Sequence, residues 1–573
     1  MIRRFACSVF VVIAFAAAPV GLSGVELPGH YFQVMEAELK ALDANSLRSN
    51  PGAMLAAAVL FVKEDSANPS RGDRQKLELA LKLGDLYADQ AAADASENKQ
   101  EYEWEIHFWL DTFRLLDNHL GTERRARWQR EIEKITRWFA GQVAYRIDFP
   151  RYQGPYIRTS TNHLALFASE VYLAGRVLAN PEWEQLGARA LHRLAAEEQT
   201  ADGFWGESTD NGPATGYNYI TMCCVALYRE HSGDAAAQQA LRRATDFHKH
   251  FTWPDGTPVE TINGRNRHWD VSPWGHFGFS HWPDGRRYAQ FLAGFFPANK
   301  RQGSRTLGRL AQSALYYHEG PSEPIPQEQP RSAYQMKLNV GIRRSGPWTV
   351  CLSGLIDKPI DSQFTLDRQG HLSIFHEKIG LIITGANSKH QPELATFVEK
   401  LREQPGTIPL SSRLRMSEEG DRLGLGYSTF FAEANVAPLS DERLKVHFEI
   451  VETGRGRLQD AQLHLQLCLK GGEALETGAS KQVLSEARIE LDASQVGGLV
   501  RHRGWALRVP KTARLTWPVL PFNPYANAPE TELRHAVGVL TVPLAVEPPP
   551  ADAALNWRRG QIDFELEVLP GSN

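Results

Sequence analysis

A chain of 573 residues is too long for one ordinary hydrophobic core, so two large domains are expected. With 42% hydrophobic and 23% charged residues, the composition is that of a folded chain and excludes a disordered or fibrous one. The formal charge of −4, from 63 Lys+Arg against 67 Asp+Glu, argues against a nucleic-acid binder.

Residues 1–24 read as a signal peptide: Arg3 and Arg4 precede an apolar run over 5–18, with small residues at 21–24. That run is too short to span a bilayer comfortably, and no later stretch is long and apolar enough to do so. The expectation is a periplasmic or secreted protein with no membrane association after cleavage. Losing Arg3 and Arg4 deepens the acidic balance. A polyanion can still bind if the basic groups gather in one cleft.

Residues 25–320 read as helices. Apolar positions recur at three- and four-residue spacing over 75–91, 102–120, 127–142, 163–178, 183–196, 216–231 and 235–251. Turn signals part them at Asn180-Pro181, Ser232-Gly233-Asp234 and 253–256. So many amphipathic helices cannot share one bundle core, so an α/α toroid, an incomplete barrel of helical hairpins, is expected. The segments 149–161, 202–216 and 253–285 read as long, aromatic, Gly/Pro-containing loops, where function tends to sit.

Residues 321–332 are rich in proline and glutamate and read as a linker. Beyond it, over 333–573, short alternating runs follow at 337–342, 348–352, 371–375, 381–384, 445–451, 462–469, 487–491, 537–542 and 561–568. With no helix between strands, this half is expected to be an antiparallel β-sandwich, giving an α+β multidomain chain. Cys223 and Cys224 are adjacent on a predicted helix and read as buried thiols. Export would permit a Cys351–Cys468 bridge, which spacing alone does not decide.

Three constellations carry candidate chemistry. Asn162-His163 opens a predicted helix, where Thr161 or Asn162 also suits an N-cap. Tyr217 and Tyr219 open a later helix after the loop that begins Asp202-Gly203 and holds Trp205 and Glu207; packing at a helix start is the plainer explanation of both tyrosines. The third gathers Glu260, Arg265, Arg267, His268 and Trp269. Arginine forks grip carboxylates or sulfates, or simply lock a loop by salt bridges. Histidines 248, 250, 268, 276 and 281 match no familiar zinc spacing, so no metal is expected. Fourteen tryptophans serve core packing or sugar stacking; Trp205, Trp269 and Trp274 are the candidates for the latter.

Asn162-His163, Asp202-Gly203 and a tyrosine 54 residues after the histidine resemble alginate lyases of the α/α-toroid type. The toroid-plus-sandwich layout is similar to heparinase II/III-like, chondroitin and hyaluronate lyases. The segment 370–385, with His371, resembles the β-segment that heparinase-like enzymes turn toward the cleft. The specific match covers roughly residues 155–270, with a weaker one over 366–389. The resemblance implies that Asn162 neutralises a uronate carboxylate, His163 is the base or assists it, and Tyr217 or Tyr219 is the acid. Asp210 stands where the alginate lyase pattern has an arginine, leaving Arg265 or Arg267 to supply the cation.

β-Elimination removes the C5 proton of a uronate, next to its carboxylate. An amide and a cation disperse the charge that builds there. A base must reach the C5 proton and an acid must protonate the departing O4. The scheme needs no metal or organic cofactor. The expected substrate is an acidic polysaccharide: alginate, glucuronan or a glycosaminoglycan. Two other readings stay open. A glycoside hydrolase on the same toroid would use two carboxyl groups among Asp202, Glu207, Asp210, Glu260 and Asp270. A non-catalytic carbohydrate-binding protein would use the tryptophans alone.

Overall fold

The computed structural model describes residues 25–42, 49–149, 161–207, 212–264, 270–356, 363–364, 369–386, 388–400, 405–453, 458, 460–548 and 557–571. The leader read over 1–24 lies outside them, as do Asp210, Arg265, Arg267, His268 and Trp269.

The N-terminal half is helical: α1 (Gly29–Lys40), α2 (Pro51–Val62), α3 (Arg74–Ala93), α4 (Ile106–Leu115), α5 (Gly121–Ile147) and α6 (Thr161–Val177) come first. They are followed by α7 (Pro181–Arg193), α8 (Thr215–Ser232), α9 (Ala235–His250), α10 (His276–Phe279), α11 (Pro283–Ala293) and α12 (Ser304–Tyr316). The turn signals act as capping rules require. Asn180 Oδ1 accepts from the amides of Glu182 and Trp183, and Pro181 takes the first helical position, where it forfeits no bond. Gly233 ends α8 at φ 72°, and Asp234 caps α9 through the Ala237 amide.

The last helix closes on the first ones: α12 packs against α1 and α2. At that seam a Cβ on Gly52 would lie 1.8 Å from the Ser304 carbonyl oxygen, so only glycine allows the approach. Helix α2 escapes a search for amphipathic periodicity because it has no polar face; Pro51 to Leu60 is buried throughout. The stretch read as one helix over 102–120 is three pieces: a 3-10 turn (Gln100–Trp104), α4, and a second turn (Asp117–His119). The first break matters, since it turns Glu103 and Trp104 toward α6.

The C-terminal half is a sandwich of antiparallel sheets. Among the described residues its two large sheets have 11 and nine strands, and Phe522–Asn523 pairs with Ala528–Pro529 in a small third one. The first begins with β1 (Arg331–Gln335), β2 (Val340–Ser345), β3 (Trp348–Ser353), β4 (Leu372–His376) and β5 (Gly380–Thr384), then continues through Gln462–Leu467 and Val537–Pro543. The second is centred on Arg443–Glu452 between Phe430–Pro438 and Arg559–Val568. Alternate residues of Arg443–Glu452 are buried, and they meet Trp348, Ile374 and Leu463 of the first sheet in a shared core.

The domains are joined by a buried apolar interface. Phe204, Phe247, Phe251, Trp253 and Ile262 pack against Met336, Val340, Ile342 and Phe375. Trp253 stacks on Phe375 with ring centroids 5.5 Å apart, and His250 stacks on Tyr334 at 4.1 Å. Cys351 and Cys468 are free thiols, so the bridge that export would permit is not formed. Cys351 packs into the interdomain apolar cluster, and burial pushes its pKa up.

Candidate active site at the domain junction

Helix α6 presents Asn162 and His163 in its first turn. Thr161 Oγ1 donates to the Gly206 carbonyl at 2.7 Å, which pins the 202–216 loop to this helix start. Asn162 is fully buried. His163 is about a quarter exposed at its side chain, and its Nδ1 lies 2.6 Å from Glu103 Oε2. A buried carboxylate at Nδ1 favours the tautomer that carries the proton there, which leaves Nε2 as the basic nitrogen. Glu170 lies beneath this pair, and burial reinforced by the charge of Glu103 holds its carboxyl far above the usual range.

Trp104 connects His163 to a cleft. Its ring meets His163 edge-on at 5.9 Å and Trp274 at 6.1 Å, and both tryptophans line the cleft wall. The wall is rigid from behind. The buried Arg309 guanidinium sits 3.7 Å from the Trp274 centroid and donates to the Trp104 carbonyl at 3.0 Å. Gly275, at φ 65°, turns the chain after Trp274; a Cβ there would lie 3.0 Å from the Cys223 backbone.

The cleft has a volume of about 890 Å³ and lies between the domains. Tyr217, from the first turn of α8, lines one side, and its hydroxyl contacts that of Tyr525 from the sandwich. Among the described residues, Lys300, Arg305 and Arg534 line it with a single carboxylate, Asp270. Arg305 also lies 5.4 Å over Trp104 and 3.8 Å from Glu105, and Arg534 pairs with Glu532 at 2.7 Å. The cleft thus combines aromatic surface, a phenol and a cationic rim.

Four residues expected in the site are buried elsewhere, which corrects their assignments. Tyr219 is fully buried: its hydroxyl meets that of Tyr288 at 2.6 Å, its ring lies 3.7 Å from His248, and burial pushes its pKa up to about 12. The two-residue spacing puts Tyr217 and Tyr219 on different faces of α8. Trp205 is buried and donates from Nε1 to the Leu194 carbonyl at 2.7 Å, so it offers no stacking face. Glu260 is consumed at the domain interface, where Trp253 Nε1, Ser373 Oγ and Thr384 Oγ1 donate to it at 2.8, 2.5 and 2.9 Å. His371 is buried in the sandwich with Nδ1 on the Ser353 carbonyl at 2.7 Å, and burial lowers its pKa to about 4.

Glu207 is half-buried at the edge of the described loop. Trp274 does line the cleft. No sequence motif marks Glu103, Trp104, Arg305, Tyr525 or Arg534. Arg534 and Tyr525 come from the opposite end of the chain, and the adjacency of Glu103-Trp104 was the only local signal.

No protein-family model matches the chain, and no curated protein sequence matches it. Solved structures do resemble it. A Streptomyces coelicolor chondroitin AC lyase, solved with chondroitin sulphate, is 14% identical with a TM-score of 0.48, covering 94% of this chain and 79% of its own. A heparan sulfate lyase from Pedobacter heparinus is 11% identical with a TM-score of 0.45, covering 91% of this chain and 76% of its own. A heparinase III is 12% identical with a TM-score of 0.47, covering 97% of this chain and 86% of its own.

Proposed function

We propose that the chain is a polysaccharide lyase that cleaves a uronic-acid-containing polymer by β-elimination. The observation that carries this reading is the interdomain cleft. Its aromatic walls suit sugar rings, its Lys300, Arg305 and Arg534 suit a polyanion, and it holds a phenol, Tyr217. In this reading Tyr217 protonates the departing O4. His163, oriented by Glu103, takes the C5 proton, and the rim cations disperse charge on the uronate carboxylate in place of Asn162, which is fully buried. Arg265, Arg267, His268 and Trp269 immediately precede the rim residue Asp270 in sequence, and they are proposed to bind the sugar. A hydrolase would need two carboxyl groups at the bond, and Asp270 is the one carboxylate among the described residues lining the cleft.

The test is the ultraviolet absorbance of the conjugated unsaturated uronate. The chain freed of residues 1–24 would be mixed with alginate, glucuronan, chondroitin sulfate, hyaluronan and heparan sulfate. Rising absorbance on one polymer, abolished by Tyr217→Phe, is the expected result. New reducing ends without absorbance would replace the lyase by a hydrolase.

A further inference from the structure

We propose that Glu230, His281 and His318 form a binding site for a divalent transition-metal ion of the zinc type, structural rather than catalytic. The three residues come from separate elements. Glu230 lies in the last turn of α8, His281 in the turn between α10 and α11, and His318 just beyond α12. Nε2 of His318 is 2.9 Å from Glu230 Oε1 and 3.1 Å from Oε2, and Nε2 of His281 is 3.0 Å from Oε1. One ligand atom from each residue lies within 4.8 Å of the others, and the imidazole centroids are 4.2 Å apart.

Two imidazoles and a carboxylate make a donor set that zinc favours, and ligands at about 2.0–2.1 Å from one ion stand roughly 3 Å from each other. The His281 nitrogen supplies the second clue. It is buried 3.0 Å from Glu230 Oε1, yet its N–H axis is poorly aligned with that oxygen. A hydrogen-bonded pair would align the two; ligands around a common ion need not. The His281 and Glu230 side chains are 10% and 12% exposed, whereas His318 is 42% exposed, so water can complete the coordination.

The site is remote from the cleft. Glu230 and Tyr217 sit on one helix, 13 residues and so about 20 Å apart. What the ion would hold is the exit of the toroid. His318 begins the segment that leads to β1, and the same turn is fastened by the His318 amide on Ser280 Oγ at 2.9 Å and by Arg286 Nε on the Pro321 carbonyl at 2.7 Å. Coordination would tie this segment to α8 and to the start of α11.

The experiment uses the full chain without residues 1–24, stripped with a chelator and titrated with zinc chloride by calorimetry, alongside thermal unfolding. Expected are one zinc ion per chain, a raised unfolding temperature with zinc, and a visible absorption band when cobalt replaces zinc. His281→Ala and His318→Gln should each weaken zinc binding by at least about tenfold. His318 is exposed enough that its variant should fold even if His281→Ala does not. No binding by the stripped wild type, or unchanged binding in His318→Gln, would overturn the proposal and leave an ion-paired His–Glu–His cluster. Neither readout depends on lyase activity, so this inference and the functional one fail separately.

Discussion

Glu260→Ala should loosen the domain junction on which the cleft depends. Glu260 is 3% exposed and accepts from Trp253 Nε1, Ser373 Oγ and Thr384 Oγ1, joining the helical loop to β4 and β5. Ser373 has Thr261 Oγ1 beside it and can donate there instead. Trp253 Nε1 and Thr384 Oγ1 lose this acceptor in a buried interface. Each stranded donor costs about 1–3 kcal/mol, so the variant should lose about 2–5 kcal/mol, the two losses not being strictly additive. Trp253→Phe removes one donor and keeps the stack on Phe375, and should cost about 1 kcal/mol. The assay is urea unfolding followed by tryptophan fluorescence and by circular dichroism, because a weakened junction should separate the two probes. A loss below about 1 kcal/mol in Glu260→Ala, with coincident transitions, would refute the assignment of Glu260 as the polar clamp of the interface.

Tyr217→Phe and His163→Gln should each lower kcat by about 10²–10⁴ while the circular dichroism spectrum is retained; equal activity in either would remove that residue from the mechanism. Arg305→Ala or Arg534→Ala, on the exposed rim, should raise KM by about fivefold or less and flatten its salt dependence, measured from 50 mM to 500 mM salt on the order of screening lengths of 13 to 4 Å. Acid should destabilise the fold. Burial lowers the pKa of His248 to about 3 and of His276 and His371 to about 4, so the native state keeps them neutral where the unfolded chain protonates them. Their contribution is intact above pH 6.5 and is lost as pH falls from there toward 4, at up to about 1.4 kcal/mol per histidine per pH unit. Equal urea midpoints at pH 7 and pH 5 would contradict this. Cys223, Cys224, Cys351 and Cys468 are free, so a thiol reagent should count four reactive groups in the chain freed of residues 1–24, and so of Cys7, after unfolding under non-reducing conditions; two would indicate a bridge.

Local physics wrote the helical half, its capped turns and the alternating strands into the sequence. Asn180-Pro181 and Gly233-Asp234 act within a few residues of themselves, and burial on one face leaves a period of three to four in a helix and of two in a strand. Helix α2 stayed silent because a segment buried all round has no period to show. The Asn162-His163 and Tyr217 motifs could be singled out because they open helices after unusual loops. What decided between Tyr217 and Tyr219 was the rotation of α8 against its neighbours: one ring faces the cleft and the other Tyr288. Glu260 looked like an acid for a substrate until β4 and β5 brought hydroxyls to it. The pairing of His163 with Glu103, the meeting of Tyr217 with Tyr525, and the cluster of Glu230, His281 and His318 join residues 37 to 308 positions apart along the chain. No spacing encodes such contacts, because they arise from how whole helices and sheets pack, and that packing is settled by the sum of buried surfaces rather than by any local run of residues.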